Sequence, residues 1–469
     1  MASEQGSRLD RFLRLFSDVR PGEGATAVLL SLNVFLILTA YYVLKPVREA
    51  LILGEGSPEL KSYMSAGQVL LLAFVVPFYG RLASGLPRRR LINLVTAFFA
   101  ACLVLFYFLA HAGVPLGVVF FLWIGIFNVM IVAQFWSFAN DLYNENEGER
   151  LFPIVGFGAS IGAVLGALIA GVLIRPLGVY QLMLVGAAIL VAEVQITNYL
   201  DKKERQRTEA HFPENETTAL MPAATVHRRD SETSMLTLAK EDKEDKPKRS
   251  GAFGLVFRTR YLLLIAFLML FSNWVNTTGE YILGSVVEES AREAVDSGEA
   301  DGLTVEEYIG RFYSQFYGVV NIAGVLMQLF LVSRIIRYFG VHVGVLILPF
   351  TSFVAYNILA FFPILAAVRW AKTAENSTDY SLNNTVRNML FLPCTREQKY
   401  SAKQTIDSFF VRAGDVLSAV VVFLGTTYFA LSASGFAKFN IGLVIVWIVV
   451  AVLIGREYKR LVATGQPPR

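Results

Sequence analysis

The chain has 469 residues, 54% of them hydrophobic and only 17% charged, with a mean hydropathy of +0.50. That balance excludes an ordinary soluble globular protein and points to a polytopic membrane protein. The net charge of +4 is modest, and the two cysteines, Cys102 and Cys394, are too few for a disulfide framework or a zinc site.

Residues 1–24 open with MASEQGSRLDRFLRLF, polar and basic with a short apolar periodicity. It lacks the apolar core and small-residue cleavage site of a secretory signal and reads as a cytoplasmic amphipathic segment. A bilayer core of about 30 Å takes about 20 apolar residues. On that measure spans are predicted at 25–50, 63–83, 91–111, 116–139, 152–174, 177–198, 259–283, 314–334, 341–358, 360–380, 403–430 and 437–455. The tenth is interrupted by Arg369, Lys372 and Glu375. The expected class is an all-α membrane protein of about twelve transmembrane helices.

Loop charges set the orientation. Arg8, Arg11, Arg14 and Arg20 precede the first span, Arg88, Arg89 and Arg90 separate the second and third, and Lys202, Lys203, Arg205 and Arg207 follow the sixth. Lys246, Lys248 and Arg249 precede the seventh, Arg334 and Arg337 follow the eighth, and Arg456, Lys459 and Arg460 follow the last. With twelve spans all of these fall on one side, whereas the opposite loops are short or acidic, as in EESAREAVDSGEADGLTVEEY. Both termini are therefore expected in the cytoplasm, in a bacterial inner membrane. Residues 201–250 are charged and cannot bury a core, so they read as a flexible linker between six-helix bundles at 25–200 and 251–456, with a tail at 457–469. The loop GRLASGLPRRR (80–90) is similar to the Gly- and Arg-rich loop of the major facilitator superfamily, with Ser84 at the acidic position, and the two halves fit that architecture.

Charge in hydrocarbon costs several kcal/mol, so ionisable residues inside spans face a wet cavity or a partner. Residues three, four and seven apart share a helix face. Tyr41, Lys45 and Arg48 do so in the first span, and Asn273, Asn276, Thr277 and Glu280 in the seventh. Arg369, Lys372, Asn376 and Asp379 repeat the pattern in the tenth; in the eleventh Lys403 and Asp407 precede Arg412 and Asp415. The fourth span adds Asn128 and Asn140. Lys45, Arg48, Arg369, Lys372, Lys403, Arg412 and Asn276 are the candidate substrate contacts. Glu49, Glu280, Asp379 and Asp407 are candidate coupling or charge-balancing groups. Snorkelling of Lys45 and Arg48 at a helix end and a plain ion pair between Lys403 and Asp407 are the alternatives. Cations from both halves suit a multiply charged anion, because guanidinium forks grip phosphate and lysines act as point charges. Tyr41, Tyr42, Trp136, Trp274 and Trp370 are candidate stacking faces for a base. Gly158, Gly162 and Gly166, four apart, point to close helix packing, as at a rocking interface, rather than to ligand contact.

Five stretches carry a wider resemblance. They are YYVLKPVREAL (41–51), FWSFANDL (135–142), RLFPIVGFGASI (150–161), YSLNNTVRNMLFLPC (380–394) and the segment from Lys403 to Asp415. Together they resemble the nucleotide transporter family, the ATP/ADP translocases of plastids and obligate intracellular bacteria. The resemblance implies that the substrate-binding lysine of the family's first helix falls on Arg48 and the lysine opening its eleventh on Lys403. Where the family carries two glutamates and a lysine, this chain has an apolar residue around Ile124, Asn276 and Asp379. The expected function is secondary transport of a nucleotide or related phosphorylated anion by alternating access, as an exchanger; a proton-coupled facilitator for another organic anion or a lysolipid stays open. No cofactor or nucleic-acid partner is expected, only substrate and membrane lipid, and a monomer. No nucleophile, metal cluster or Walker A loop suggests an enzyme or an ATP-driven pump.

Overall fold

The structure is a computed structural model and describes residues 8–14, 18–143, 145–211, 252–395, 398 and 402–468. A short α1 (Arg8–Leu13) leads into α2 (Gly24–Gly54), α3 (Pro58–Gly85), α4 (Arg88–His111), α5 (Gly117–Leu142), α6 (Glu145–Leu177) and α7 (Gln181–His211). The second half begins with α8 (Ala252–Arg258), followed by α9 (Arg260–Asp296), α10 (Val305–Met327), α11 (Val341–Phe361), α12 (Leu365–Thr378), α13 (Val411–Thr427) and α14 (Ala433–Thr464). Three of these helices run on through a wide π turn. Gln328–Val332 extends α10, Asp379–Asn383 extends α12 into Asn384–Met389, and Ile406–Phe410 joins Lys403–Thr405 to α13.

Among the described residues eleven helices are long and apolar enough to cross a membrane. The remaining expected span, the tenth, formed by α12 with its continuation, is helical but too polar to qualify on composition, as Arg369, Lys372 and Glu375 foretell. The all-α, twelve-helix membrane architecture is what the sequence leads one to expect.

Two boundaries differ. The acidic stretch expected as a long loop is mostly helical, because α9 runs to Asp296 and α10 starts at Val305. An Arg292–Glu288 pair at 2.7 Å, one turn apart, supports the α9 extension. The capping box of Thr304 and Glu307 starts α10. The expected linker at 201–250 is helical as far as His211, the end of α7; residues 212–251 lie outside the described residues.

Apolar side chains gather into two cores, one from α2 and α4–α7 and one from α9–α14. Ile52, Leu53, Phe121 and Ala167 cross over to pack with the second core. The halves meet around the C-terminal end of α2 and the N-terminal end of α3. There Tyr281 donates to Glu59 at 2.8 Å and Tyr317 donates to Glu49 at 3.2 Å.

The glycine stripe of α6 lies inside the first half. A Cβ on Gly158, Gly162 or Gly166 would stand 2.3, 2.4 or 2.5 Å from the backbone oxygens of Ser31, Phe35 and Thr39 on α2. This corrects the rocking-interface expectation: these glycines bring α6 onto α2. The face of α6 that meets the other half is a different one, where Asn321 of α10 donates to the carbonyl of Ala163 at 3.2 Å.

Candidate substrate cavity

A cavity of ≈ 340 Å³ lies where the halves meet. The first half lines it with Tyr41, Lys45 and Arg48 of α2, Lys61, Ser65 and Gln68 of α3, and Phe121 and Asn128 of α5. The second half contributes Asn273, Asn276, Thr277 and Glu280 of α9, Tyr317 of α10, Tyr380, and Arg412 and Asp415 of α13. Helical spacing explains the selection, since Lys61, Ser65 and Gln68 repeat the four-then-three interval of Tyr41, Lys45 and Arg48.

Alternating charges run through the wall of this cavity and behind it, with Arg48, Lys61 and Glu280 at its surface. Arg48 pairs with Glu49, whose other oxygen lies 2.7 Å from Lys61 Nζ. Lys61 stands 3.9 Å from Glu280, which is 3.5 Å from Lys372. Lys372 is 2.7 Å from Glu375 and donates to Asn276 at 3.0 Å. Glu375 also accepts from Ser352 at 2.8 Å and from Tyr356 at 3.1 Å. The order passes from α2 and α3 to α9 and α12 at the Lys61–Glu280 contact. An isolated buried charge costs several kcal/mol, so each ion here is stable because its neighbours have the opposite sign. On the α13 side Arg412 lies 3.2 Å from Asp415, which accepts from Asn273 at 2.7 Å and Thr277 at 2.8 Å.

Lys45 breaks this order. Among the described residues no carboxylate oxygen lies within 4.0 Å of its ammonium. The ammonium stands 3.8 Å from the centre of the Tyr317 ring and 5.2 Å from that of Tyr42, a cation–π arrangement that leaves its charge available to an anion.

Several expected site residues lie elsewhere. Arg369 faces a separate pocket of ≈ 270 Å³ lined by Arg311, Gln315 and the 297–304 turn, one helical turn from Lys372 where α12 packs on α10. Asp379 accepts from Asn383 at 2.7 Å and leaves the cavity wall to Tyr380. Lys403 donates to Asn388 at 2.9 Å; neither it nor Asp407 lines the cavity, and no ion pair joins them among the described residues. A π turn lies at each of these places, Asp379–Asn383 and Ile406–Phe410. Each adds a residue to one turn, so a stripe counted at α-helical spacing loses register there. Lys372 lies behind the wall, 1% exposed, engaged with Glu280 and Glu375. Of the candidate stacking residues Tyr41 lines the cavity, whereas Trp274 stacks on Phe271, Trp136 packs edge-on to Phe152, and Trp370 is exposed.

Lys61 is the residue that sequence reasoning missed. Ser57 caps α3 by accepting from Leu60 N at 3.2 Å and Pro58 follows, so the helix begins before Lys61. The Ser-Pro-Glu start was the available signal, passed over because the apolar run begins later. Glu375 and Tyr317 were missed as well; Glu375 was legible only as an interruption of its span.

A sequence profile of the Major Facilitator Superfamily matches residues 30–374. The chain is 24% identical over 326 residues to ADP,ATP carrier protein 1 of Chlamydia pneumoniae, covering 63% of this chain and 57% of that one. It is 22% identical over 366 residues to ADP,ATP carrier protein 2 of Chlamydia trachomatis, covering 71% and 63%, so the match spans less than two thirds of either relative. A match to ADP,ATP carrier protein 1 of Rickettsia typhi, 20% identical, covers 98% of both chains. Among solved structures, a POT family transporter in complex with 5-aminolevulinic acid superposes with a TM-score of 0.60 at 12% identity, covering 93% of this chain and 96% of that one. The nucleoside transporter NupG superposes with a TM-score of 0.59 at 12% identity, covering 90% and 98%. At such identity these superpositions speak for the fold. With a profile match spanning most of the chain, this protein is a membrane transporter belonging to the Major Facilitator Superfamily.

Proposed function

We propose that this transporter carries a nucleotide or a related phosphorylated anion through the cavity between its halves by alternating access. The observation that carries the reading is Lys45, a cation in the cavity wall with no carboxylate partner within 4.0 Å among the described residues, flanked by Arg48, Lys61 and Arg412. A phosphate chain would meet Lys45 first and then compete with Glu49 and Glu280 for Arg48 and Lys61. The arginines offer two-pronged hydrogen bonds and the lysines compact charge. Tyr41, Phe121 and Tyr380 offer flat faces to a base.

The ADP,ATP carriers among its relatives support this substrate class. Ile124, Asn276 and Asp379, where the family's charged residues are absent, bear on which nucleotide is taken. The loop charges support cytoplasmic termini in a bacterial inner membrane. On that orientation the halves touch on the outer side, as in a carrier open toward the cytoplasm. The cavity is complete within one chain, which supports a working monomer.

The test is uptake of labelled nucleotides into proteoliposomes preloaded with nucleotide. The expected result is saturable uptake by the wild type and a loss of at least about tenfold in Lys45→Ala and Arg48→Ala. Equal uptake by both variants overturns the reading.

The position of Glu280 between Lys61 and Lys372, at 3.9 and 3.5 Å, favours one other mode. Protonating it would remove one negative neighbour from each lysine, leaving Lys61 with Glu49 and Lys372 with Glu375, and so raise the pull of the cavity on an anion, which is how a proton-coupled carrier of another organic anion or a lysolipid would work. That mode gives uptake into empty vesicles under a pH gradient, whereas exchange needs nucleotide inside.

A further inference from the structure

The first half contains a carboxyl that the transport cavity does not use. Glu193 stands near the middle of the Gln181–Lys203 span and is 3% exposed. Its Oε1 accepts from Asn33 Nδ2 at 2.8 Å and from Thr197 Oγ1 at 2.6 Å. Among the described residues no lysine, arginine or histidine nitrogen lies within 4.0 Å of it. The other deeply buried carboxylates of the bundle, Glu49, Glu375 and Asp415, each have a cation inside that distance. A carboxylate with neutral partners alone is costly at this depth, so its compensating charge must come from outside the chain.

A void adjoins the carboxyl. Asn33, Thr96, Gln134, Glu193 and Thr197 line one half of it and isoleucine and phenylalanine side chains the other, and its ≈ 10 Å³ holds one water-sized body. Among the described residues the Thr96 hydroxyl, 1% exposed, has no hydrogen-bond partner, and Gln134 Oε1 accepts a long bond from Tyr79 at 3.3 Å. Free oxygen valence thus faces a one-atom space, closed on its other side by apolar side chains, beside an uncompensated negative charge.

We propose that this pocket binds one small monovalent cation, a proton or a sodium ion, on Glu193, with side-chain oxygens of Thr96, Thr197, Gln134 and Asn33 around it. A lone carboxylate neutralises a single charge, so a divalent ion would leave the same imbalance with its sign reversed. The site lies inside one half, between α2, α4, α5 and α7, and off the path between the halves, so its ion is resident and secures the packing of that half. On α2 the cations Lys45 and Arg48 stand twelve and fifteen residues from Asn33, at the transport cavity, and the arginines toward the other end of the half have partners of their own. Arg88 of α4 is held by Asp141 of α5 at 3.3 Å and by Asp201 of α7 at 2.8 Å, Arg89 donates to Asn198 at 3.0 Å, and Arg150 of α6 pairs with Glu23 at 2.8 Å. The titratable Tyr79 of α3 and Tyr41 of α2 complete the surroundings.

The test uses the purified full-length protein and its melting temperature, with no nucleotide present, so its outcome is separate from that of the substrate reading. In one arm sodium chloride replaces choline chloride at fixed pH and ionic strength. In the other, sodium-free buffer is taken from pH 8 to pH 5.5. The wild type is expected to gain at least about 2 °C in one arm, sodium identifying the first and a proton the second, because a ligand bound only by the folded state raises its stability. Glu193→Gln, which keeps the shape and removes the charge, is expected to lose that gain. If that variant fails to fold, Glu193→Asp, with its shorter reach, is expected to shift the midpoint of the gain several-fold in ion concentration. A wild type whose melting temperature is unmoved in both arms, or a folded variant that gains as much at the same midpoint, overturns the proposal.

Discussion

Lys61 of α3 and Glu280 of α9 face each other at 3.9 Å across the boundary between the halves, while the same ammonium lies 2.7 Å from Glu49 within its own half. Lys61 is thus anchored on one side and leans toward the other. An anion that draws Lys61 into the cavity weakens the link to Glu280 while Arg48 continues to neutralise Glu49. Substrate binding and the freedom of the halves to separate are coupled through this one side chain.

Lys61→Met is accordingly expected to lower nucleotide uptake by at least about tenfold, since a charge-assisted contact is worth about 1.5–3 kcal/mol. Its cost in stability is expected to be smaller than that of Lys372→Met. Lys372 is 1% exposed between Glu280 and Glu375, and its loss strands a buried carboxylate at about 3–5 kcal/mol. Melting temperatures of the two purified variants beside their uptake rates make the comparison. A larger fall in melting temperature for Lys61→Met would contradict it.

Arg369→Ala and Lys403→Ala are expected to change nucleotide affinity by less than about twofold. Both were candidates on sequence, Lys403 also by family resemblance, yet Arg369 lines the outer pocket and Lys403 is bound to Asn388. Equilibrium binding to purified protein measures this. A tenfold loss in Lys403→Ala would mean that another state of the transport cycle brings that lysine to the substrate.

Gly162→Leu is expected to destabilise the first half by about 1–3 kcal/mol, the range for overpacking, because its Cβ would stand 2.4 Å from the Phe35 carbonyl oxygen. Gly156→Ala, on the same helix two residues before Gly158 and with nothing within 4 Å, is the control and should melt with the wild type. Equal melting temperatures for both variants would show that α2 and α6 can separate without cost.

Glu23, which precedes α2, is held below the usual carboxylate range by its hydrogen bonds with Arg150 at 2.8 Å. A group whose folded value is lowered stabilises the fold above its unfolded value and loses that contribution as the pH falls through the lowered one. The melting temperature of the wild type should therefore fall more steeply than that of Glu23→Gln as the pH drops below about 4.5, the unperturbed value for Glu. Parallel curves for the two proteins would remove this pair from the account.

Two of the expected stripes, those of α2 and α9, are legible in the sequence. Tyr41, Lys45 and Arg48, and Asn273, Asn276, Thr277 and Glu280, keep their spacing through α2 and α9 and reach the cavity together. Asp379, Lys403 and Asp407 lie in or beside π turns, which depend on tertiary packing and leave no pattern at helical period, whereas Arg369 and Lys372 stand on the regular part of α12 and are taken up by the outer pocket and by Glu280 and Glu375. Lys61 was hidden for the opposite reason: it enters the membrane as part of an ion network, so hydropathy placed it outside. The long α9 was obscured by its acidity, although no proline or glycine breaks the chain from Ser285 to Asp296.

The central claim is that the uncompensated charge of Lys45 is there for the substrate. Equilibrium binding of a labelled nucleotide to purified wild type, Lys45→Gln and Lys45→Arg tests it most directly. The account predicts a loss of about tenfold or more in Lys45→Gln, substantial recovery in Lys45→Arg, and melting temperatures near the wild type for both. Undiminished binding by a folded Lys45→Gln would contradict it.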